Sequence, residues 1–168
     1  MKFIVDRMYN RIARWLRMLG YDTILNEDFV DQDYIQLAKK DNRILITRDE
    51  DLKRRAEKLG IRIVTLDAPT IEERLIKLHK EVGLELAFSE STLSRCSVCN
   101  SEIRKIEMDE ILDKISELTQ LHYNEFWICK NAECDHIYWK GSHWTKMEET
   151  LNDCNEMIKL DNEKQNKN

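Results

Sequence analysis

Two sets of residues in this chain have the types and spacing to do chemistry. One is a group of carboxylates at the ends of short apolar runs; the other is a pair of cysteine doublets. The carboxylates are clearest in Arg43–Asp51, RILITRDED, where Ile44, Leu45 and Ile46 are followed at once by Asp49 and Asp51. A short apolar run bounded by polar residues reads as a buried strand. Phe3-Ile4-Val5-Asp6 repeats the arrangement at the start of the chain. In open α/β sheets ligands gather at the carboxyl ends of the strands, so two such strands in one parallel sheet bring Asp6, Asp49 and Asp51 together. Magnesium and manganese prefer carboxylate oxygens, lower the pKa of a bound water and clamp a phosphodiester for in-line displacement. Bare clustered carboxylates repel phosphate, so that chemistry also requires flanking cations.

The second set is Cys96-Ser-Val-Cys99 and Cys129-Lys-Asn-Ala-Glu-Cys134, a C-x2-C and a C-x4-C pair. Two pairs at this separation suit a zinc ribbon in which two knuckles clamp one tetrahedral ion. Four thiolates leave zinc no open position, so the site reads as structural; His136 is the alternative ligand beside the looser pair. Cys154 stands outside the pattern and is expected to pack on a C-terminal helix.

The elements that must position these groups follow from periodicity. Met8, Ile12, Trp15, Leu16 and Leu19 share one stripe of a helix expected over Met8–Leu19, with Arg7, Arg11, Arg14 and Arg17 beside it. All four are arginine, which suits planar phosphate contacts better than lysine does. Arg11 and Arg14 are the favoured phosphate contacts, with Arg17 and Arg48 joining them. Tyr21–Leu25 reads as a second strand. Asp31 reads as the N-cap of a helix through Lys40, either as a cap alone or as a cap that also reaches the acids, with Asp33 and then Asp28 behind it. A helix over Asp51–Leu59, a strand over Ile61–Leu66 and a helix from the Thr70/Glu73 capping box to Val82 complete the first half. The alternation of strand and helix predicts an α/β fold, a Rossmann-like parallel sheet with helices on both faces. No GxGxxG or GxxxxGK[ST] supports dinucleotide or P-loop binding.

In the second half, strands are expected over Ser101–Met108 and Phe126–Ile128, and a helix over Asp109–Leu118. The segment Ile137–Trp144 interleaves aromatics with Lys140 and His143; aromatics beside a cation can stack bases, but Trp139 and Trp144 read first as glue between domains. The domain plan is therefore 1–88, a ribbon over 92–145 reached through a linker at Glu90–Arg95, a C-terminal helix over 146–160 and a disordered polar tail over 161–168.

The net charge of −5 looks unsuited to nucleic acid, but its distribution matters more. Residues 1–88 carry 17 Lys and Arg against 16 Asp and Glu, while residues 89–168 carry 10 against 16. The acidity belongs to the cysteine-bearing half. Neither a secretory signal nor a membrane anchor is expected, and close cysteine pairs without a signal favour metal over disulfides and a cytoplasmic location.

In this order, FIVDRMYNRIARWLRMLGYDT, RILITRDEDL, SRCSVCN and YWKGSHW resemble the Mut-seven C-terminal family from residue 3 to about residue 147. The resemblance implies a PIN-like ribonuclease domain followed by a zinc ribbon, and metal-dependent cleavage of RNA. It implies acidic-site roles for Asp6 and Asp49 with Asp51 and Asp31 beside them, a match of Arg11, Arg14 and Arg17 to an Arg-rich helix, and zinc on Cys96, Cys99, Cys129 and Cys134. Magnesium or manganese at the acids and RNA, free or within a ribonucleoprotein, are the implied cofactor and partner. The rival reading is a non-catalytic module that uses the same surface to hold RNA, a ribonucleoprotein or a protein. A phosphatase is a weaker one, because Asp6 is followed by Arg7 and Met8 rather than by D-x-D.

Overall fold

The computed structural model describes residues 1–88 and 95–165. Four short strands, β1 (Lys2–Val5), β2 (Asp22–Ile24), β3 (Ile44–Ile46) and β4 (Ile63–Val64), form a parallel sheet in the order β2-β1-β3-β4. Four helices connect and follow them: α1 (Asn10–Met18), α2 (Asp31–Asp41), α3 (Glu50–Lys58) and α4 (Ile71–Val82). Alternate strand residues point to opposite faces, and the packing follows that period. Phe3, Val5, Ile44 and Ile46 pack with Ile12, Leu16, Leu75 and Leu78 of α1 and α4. Ile4 and Leu45 pack with Tyr34, Ile35, Leu52 and Ala56 of α2 and α3. Leu45 is fully buried, so Leu45→Ala removes about 2–5 kcal/mol of stability.

The first helix differs from its expected course. Arg7–Tyr9 form a 3-10 turn, and the α-helix begins only at Asn10. The turn leaves Met8 exposed and buries Tyr9, whose hydroxyl donates to the Leu66 carbonyl. The Thr70/Glu73 capping box forms as read, with both reciprocal hydrogen bonds. Gly83 closes α4 in the left-handed region at φ 74°, which glycine adopts without a Cβ penalty.

The second half builds an antiparallel sheet of β5 (Ile103–Ile106), β6 (Phe126–Cys129) and β7 (Ile137–Tyr138). Between β5 and β6 the chain is less helical than its sequence suggests. Met108–Glu110 is a single 3-10 turn, and only α5 (Glu117–His122) is helical, capped by Ser116. Ile111 is buried in a small satellite core with Phe126 and Ile128, which holds this stretch down without a long helix. The last helix, α6 (Ser142–Gln165), is longer than expected at both ends and takes in 161–165, which read as tail; 166–168 lie outside the described residues. It packs on α4 and the segment after it: Lys80 pairs with Asp161, the buried Cys154 thiol contacts the Glu72 carbonyl, and Asn155 donates to the Leu86 carbonyl beyond the helix. Of the expected linker only Arg95 is described, bridging to Glu102. Among the described residues no helix is long and apolar enough to cross a membrane.

Candidate active site and metal centre

The strand order reverses between β1 and β3: the chain builds β2 on one side of β1, then returns to build β3 on the other. A reversal of this kind opens a crevice at the carboxyl ends of the two central strands. Asp6 is the first residue past β1, pinned by its backbone N–H to the Ile46 carbonyl at 2.9 Å. Thr47 is the first residue past β3 and is buried. Its hydroxyl donates to Asp6 Oδ2 at 2.8 Å and accepts from the Asp49 N–H at 3.0 Å. One buried hydroxyl thus ties the two acids together. Asp49 caps α3, its Oδ1 accepting from the Asp51 and Leu52 N–H groups at 2.9 and 2.8 Å. A helix N-terminus favours a carboxylate there. On Asp6, Oδ1 receives only the long 3.5 Å contact from the Met8 N–H, and Asp49 Oδ2 accepts from no described residue. Each acid therefore keeps an oxygen for a ligand.

Asp6, Asp31 and Asp49 line one cavity of about 490 Å³, together with Glu50, Arg7 and Arg48. Tyr34 forms part of its wall; burial first, and the nearby Asp6 carboxylate next, push its phenol pKa up, so it stays protonated. The sequence reading marks neither Glu50 nor Thr47; the acid run after a buried Ile-Leu-Ile is the available signal for both. Asp51 lies outside the cavity lining, exposed and paired with Arg54. Asp31 is not the N-cap. Val30 holds the cap position, with Asp33 in the first turn accepting from its N–H at 3.0 Å, and Asp31, the first helical residue, is held by Arg55 at 2.8 Å. Asp28 lines a separate shallow depression. Among the described residues, no three carboxylates bring oxygens within 4.8 Å of one another. The arrangement suits a hydrated divalent cation, since magnesium usually retains several waters.

The arginines divide by position along the 3-10 turn and α1, which runs away from the acid-bearing edge. Arg7 reaches the acid cavity. Arg11 and Arg14 are exposed but line a different groove, facing the cysteine-bearing lobe. Arg17 is not available to a phosphate: it is only 5% exposed and donates to the carbonyls of Thr23, Ser97 and Val98 at 2.9–3.0 Å.

Cys96, Cys99, Cys129 and Cys134 place their Sγ atoms within 4.8 Å of one another, a group able to hold a metal ion such as zinc. Cys96 and Cys134 are 3.6 Å apart, and Cys99 and Cys129 3.4 Å. Tetrahedral zinc with Zn–S bonds of about 2.3 Å requires edges of about 3.8 Å, so the four thiols fit the ion with little movement. His136 is no part of the group; its exposed ring lies edge-on to Tyr138. Burial pushes the Cys99 thiol up, but hydrogen bonds from Ser101 and the neighbouring thiols outweigh it and bring it down to about 6. Cys134 is pushed up to about 11 by burial and then by its neighbours Cys99 and Cys96, and Cys129 is pushed higher still. Burial pulls the Arg17 guanidinium down, while Cys96 and Cys99 hold it charged. That buried cation offsets the negative charge of a metal tetrathiolate.

The first knuckle is clasped to the sheet. The Asn100 side chain accepts from the Thr23 N–H at 2.9 Å and donates to Asp22 Oδ1 at 2.8 Å. Asp22 is in turn gripped by both terminal nitrogens of the buried Arg43, at 2.9 and 3.0 Å. Burial raises the Asp22 pKa, but Arg43 and Asn100 outweigh it and hold the carboxyl below its ordinary value.

Fold and site together define a parallel α/β protein with acids at its topological switch point and a four-cysteine cluster, able to hold a metal ion, clasped to the sheet edge. The family model described as the Mut7-C RNAse domain matches residues 1–151, and the chain belongs to that family. No curated protein and no solved structure matches it.

Proposed function

We propose that this protein is a metal-dependent ribonuclease of PIN-like architecture that hydrolyses RNA phosphodiester bonds in the acid cavity. Its family supplies the ribonuclease class. The observation that carries the reading is the convergence of Asp6, Asp31 and Asp49 with Arg7 and Arg48 in one cavity. Asp6 and Asp49 would hold magnesium or manganese through their remaining oxygens, with Asp31 and Glu50 beside them. When bound, such an ion supplies Lewis acidity and an activated water. Arg7 and Arg48 draw the anionic backbone into a pocket that would otherwise repel it. Thr47 holds Asp6 and Asp49 in register, and the N-terminus of α3 fixes the Asp49 carboxylate through the Asp51 and Leu52 N–H groups. The four cysteines hold zinc as a structural ion in a zinc ribbon, a ligand set that suits the reducing cytoplasm.

The test is cleavage of a panel of single-stranded and structured RNAs with manganese, magnesium or neither, beside the Asp49→Asn protein. Cutting that requires the divalent ion and falls by about a hundredfold or more in the variant is the expected result, on the scale of losing one preorganised electrostatic contact. Cutting that survives both Asp6→Asn and Asp49→Asn removes the mechanism. The open spacing of the carboxylates also favours a second reading, a module that holds RNA or a ribonucleoprotein without cutting it. Salt-dependent binding indifferent to magnesium and to both aspartates distinguishes it.

A further inference from the structure

The chain contains 12 arginines, and most are spoken for: Arg43 by Asp22 and Asp41, Arg54 and Arg55 by aspartates, Arg17 by three carbonyls. Four make no side-chain hydrogen bond or ion pair with any described residue: Arg7, Arg48, Arg11 and Arg14. The first two line the acid cavity and the last two line the groove that α1 forms with the cysteine lobe and the start of α6. That groove measures about 740 Å³ and has no aspartate or glutamate in its lining, in a chain with 32 of them. Across from the arginines it presents Lys146, His136 and His143, all exposed, and the indole of Trp139, 38% exposed. The expectation of interdomain glue suits Trp144, which is buried and stacked on Phe88 at 4.0 Å, but not Trp139. Trp139 is nonetheless held in place. Its ring lies against Tyr123, and a Cβ on Gly141 would come within 2.9 Å of its Nε1.

We infer that this groove seats single-stranded RNA on its way to the acid cavity, with phosphates on Arg11, Arg14 and Lys146 and a base stacked on Trp139. The inference rests on the ribonuclease reading for its choice of RNA. A cationic, acid-free groove on a net acidic protein selects a polyanion, and an exposed, fixed indole selects one whose subunits are flat aromatic rings. Single strands offer such faces; a duplex keeps its bases stacked inside. Arg7 stands one turn before Arg11 and belongs to the acid cavity, so the exposed edge of this segment connects the two clefts. The groove thus supplies affinity, and the acid cavity receives the scissile phosphate.

The experiment is fluorescence anisotropy of a labelled oligouridylate of about eight nucleotides, within the range one such site covers. It uses the full zinc-loaded chain carrying Asp49→Asn, so that nothing is cut. Adding Arg11→Ala with Arg14→Ala is expected to weaken binding about tenfold or more and to lower the salt slope by about 1.4, the value for two phosphate contacts on a single strand. Arg11→Lys with Arg14→Lys should restore most of both, which shows that the alanine protein is folded and lacks only charge. Trp139→Ala should cost about tenfold and Trp139→Phe much less; Gly141→Ala, which displaces the indole without removing it, should fall between them. Affinity and slope unchanged in the double arginine variant overturn the proposal, as does an absence of RNA binding by the parent protein. Competition by polyglutamate as effective as competition by oligouridylate also overturns it, in favour of an acidic protein partner. Cleavage is scored separately with Asp49 intact. Groove-dependent binding without Asp49-dependent cutting sinks the ribonuclease reading and leaves the groove; cutting indifferent to the groove variants does the reverse.

Discussion

The two clefts share one segment of chain and differ in almost everything else. The acid cavity is a product of sheet topology: two strand ends, a buried threonine between them and a helix N-terminus beside them. The groove is a product of docking, with one wall from α1 and the other from the cysteine-bearing lobe and the first turns of α6. The first gathers carboxylates that a phosphate avoids unless a cation intervenes. The second gathers cations and an open indole with no carboxylate at all. On the proposed reading, binding and chemistry would have separate supports, one resting on the cysteine lobe and one on the sheet, joined through Arg17 and the Asn100–Asp22–Arg43 clasp.

The sharpest way to break that separation is to remove the metal. Chelation, or Cys99→Ser, should forfeit an apparent binding energy on the order of 10 kcal/mol, unfold the cysteine lobe and abolish the groove's affinity for a strand. Cleavage of a dinucleotide, too short to use the groove, should fall far less than cleavage of a long strand. Equal loss of both would show that the sheet cannot hold its acids without the lobe. The pH dependence follows from the thiols. Cys99, held at about 6, arrives ionised at neutral pH, whereas Cys134, near 11, and Cys129, higher still, must each give up a proton to the solvent. Zinc affinity should therefore fall as pH falls, more steeply below about 6 as Cys99 also becomes protonated. Competition titrations with a zinc indicator at a series of pH values measure this directly.

Thr47→Val tests the other support. It keeps shape and burial but deletes the hydroxyl that links Asp6 to the Asp49 backbone. A drop of about ten- to a hundredfold in kcat, with a higher divalent requirement and unchanged RNA affinity, is expected of a group that orients metal-binding residues. A drop in affinity instead would mean that the acid cavity, not the groove, holds the strand.

How much of this was legible in the sequence differs between the clefts. Ile-Leu-Ile and Phe-Ile-Val announce buried strands because a continuous apolar run has few other uses at that length, and the acids after them follow the strands to one edge. The groove was not legible as a place. Residue type marks Arg11 and Arg14, but points to the acid edge, because spacing along a helix does not reveal which neighbour the helix faces. Arg17 belongs to the same stripe and ends buried under the cysteine knuckle, a tertiary fact no periodicity contains. Asp31 loses the cap role for a subtler reason: the helix begins one residue earlier than its acids suggest, so Val30 takes the cap position, Asp31 becomes the first helical residue, and Asp33 reaches back to the Val30 N–H.

Asp22→Asn should loosen the clasp between the two supports. Arg43 would keep Asp41 and the Phe3 carbonyl but lose its bidentate partner. Removing one member of a buried pair costs several kcal/mol, and the contacts that remain bring the expected loss to about 2–3 kcal/mol by urea denaturation. The sign with pH is fixed by the depressed carboxyl. Its contribution is complete above the ordinary aspartate value and disappears as pH falls through the lower folded value. Parent and variant should thus converge in acid and separate towards neutral pH. A constant gap would place the effect in packing rather than charge.

The smallest effect sharpens the comparison most narrowly. Asp51 follows Asp49 by two residues and was read as its companion at the acids, yet it is exposed, absent from the cavity lining and engaged by Arg54 one turn along α3. An exposed ion pair at this helical spacing is worth about 0.3–0.5 kcal/mol. Asp51→Asn should therefore leave cleavage within about twofold of the parent and stability within about 0.5 kcal/mol, while Asp49→Asn in the same assay should lose about a hundredfold or more. If Asp51→Asn instead costs tenfold or more, Arg54 must release Asp51 when the divalent ion binds. The acid cavity would then be assembled by its metal, and the division between a finished chemical site and a separate binding groove would have to be drawn elsewhere.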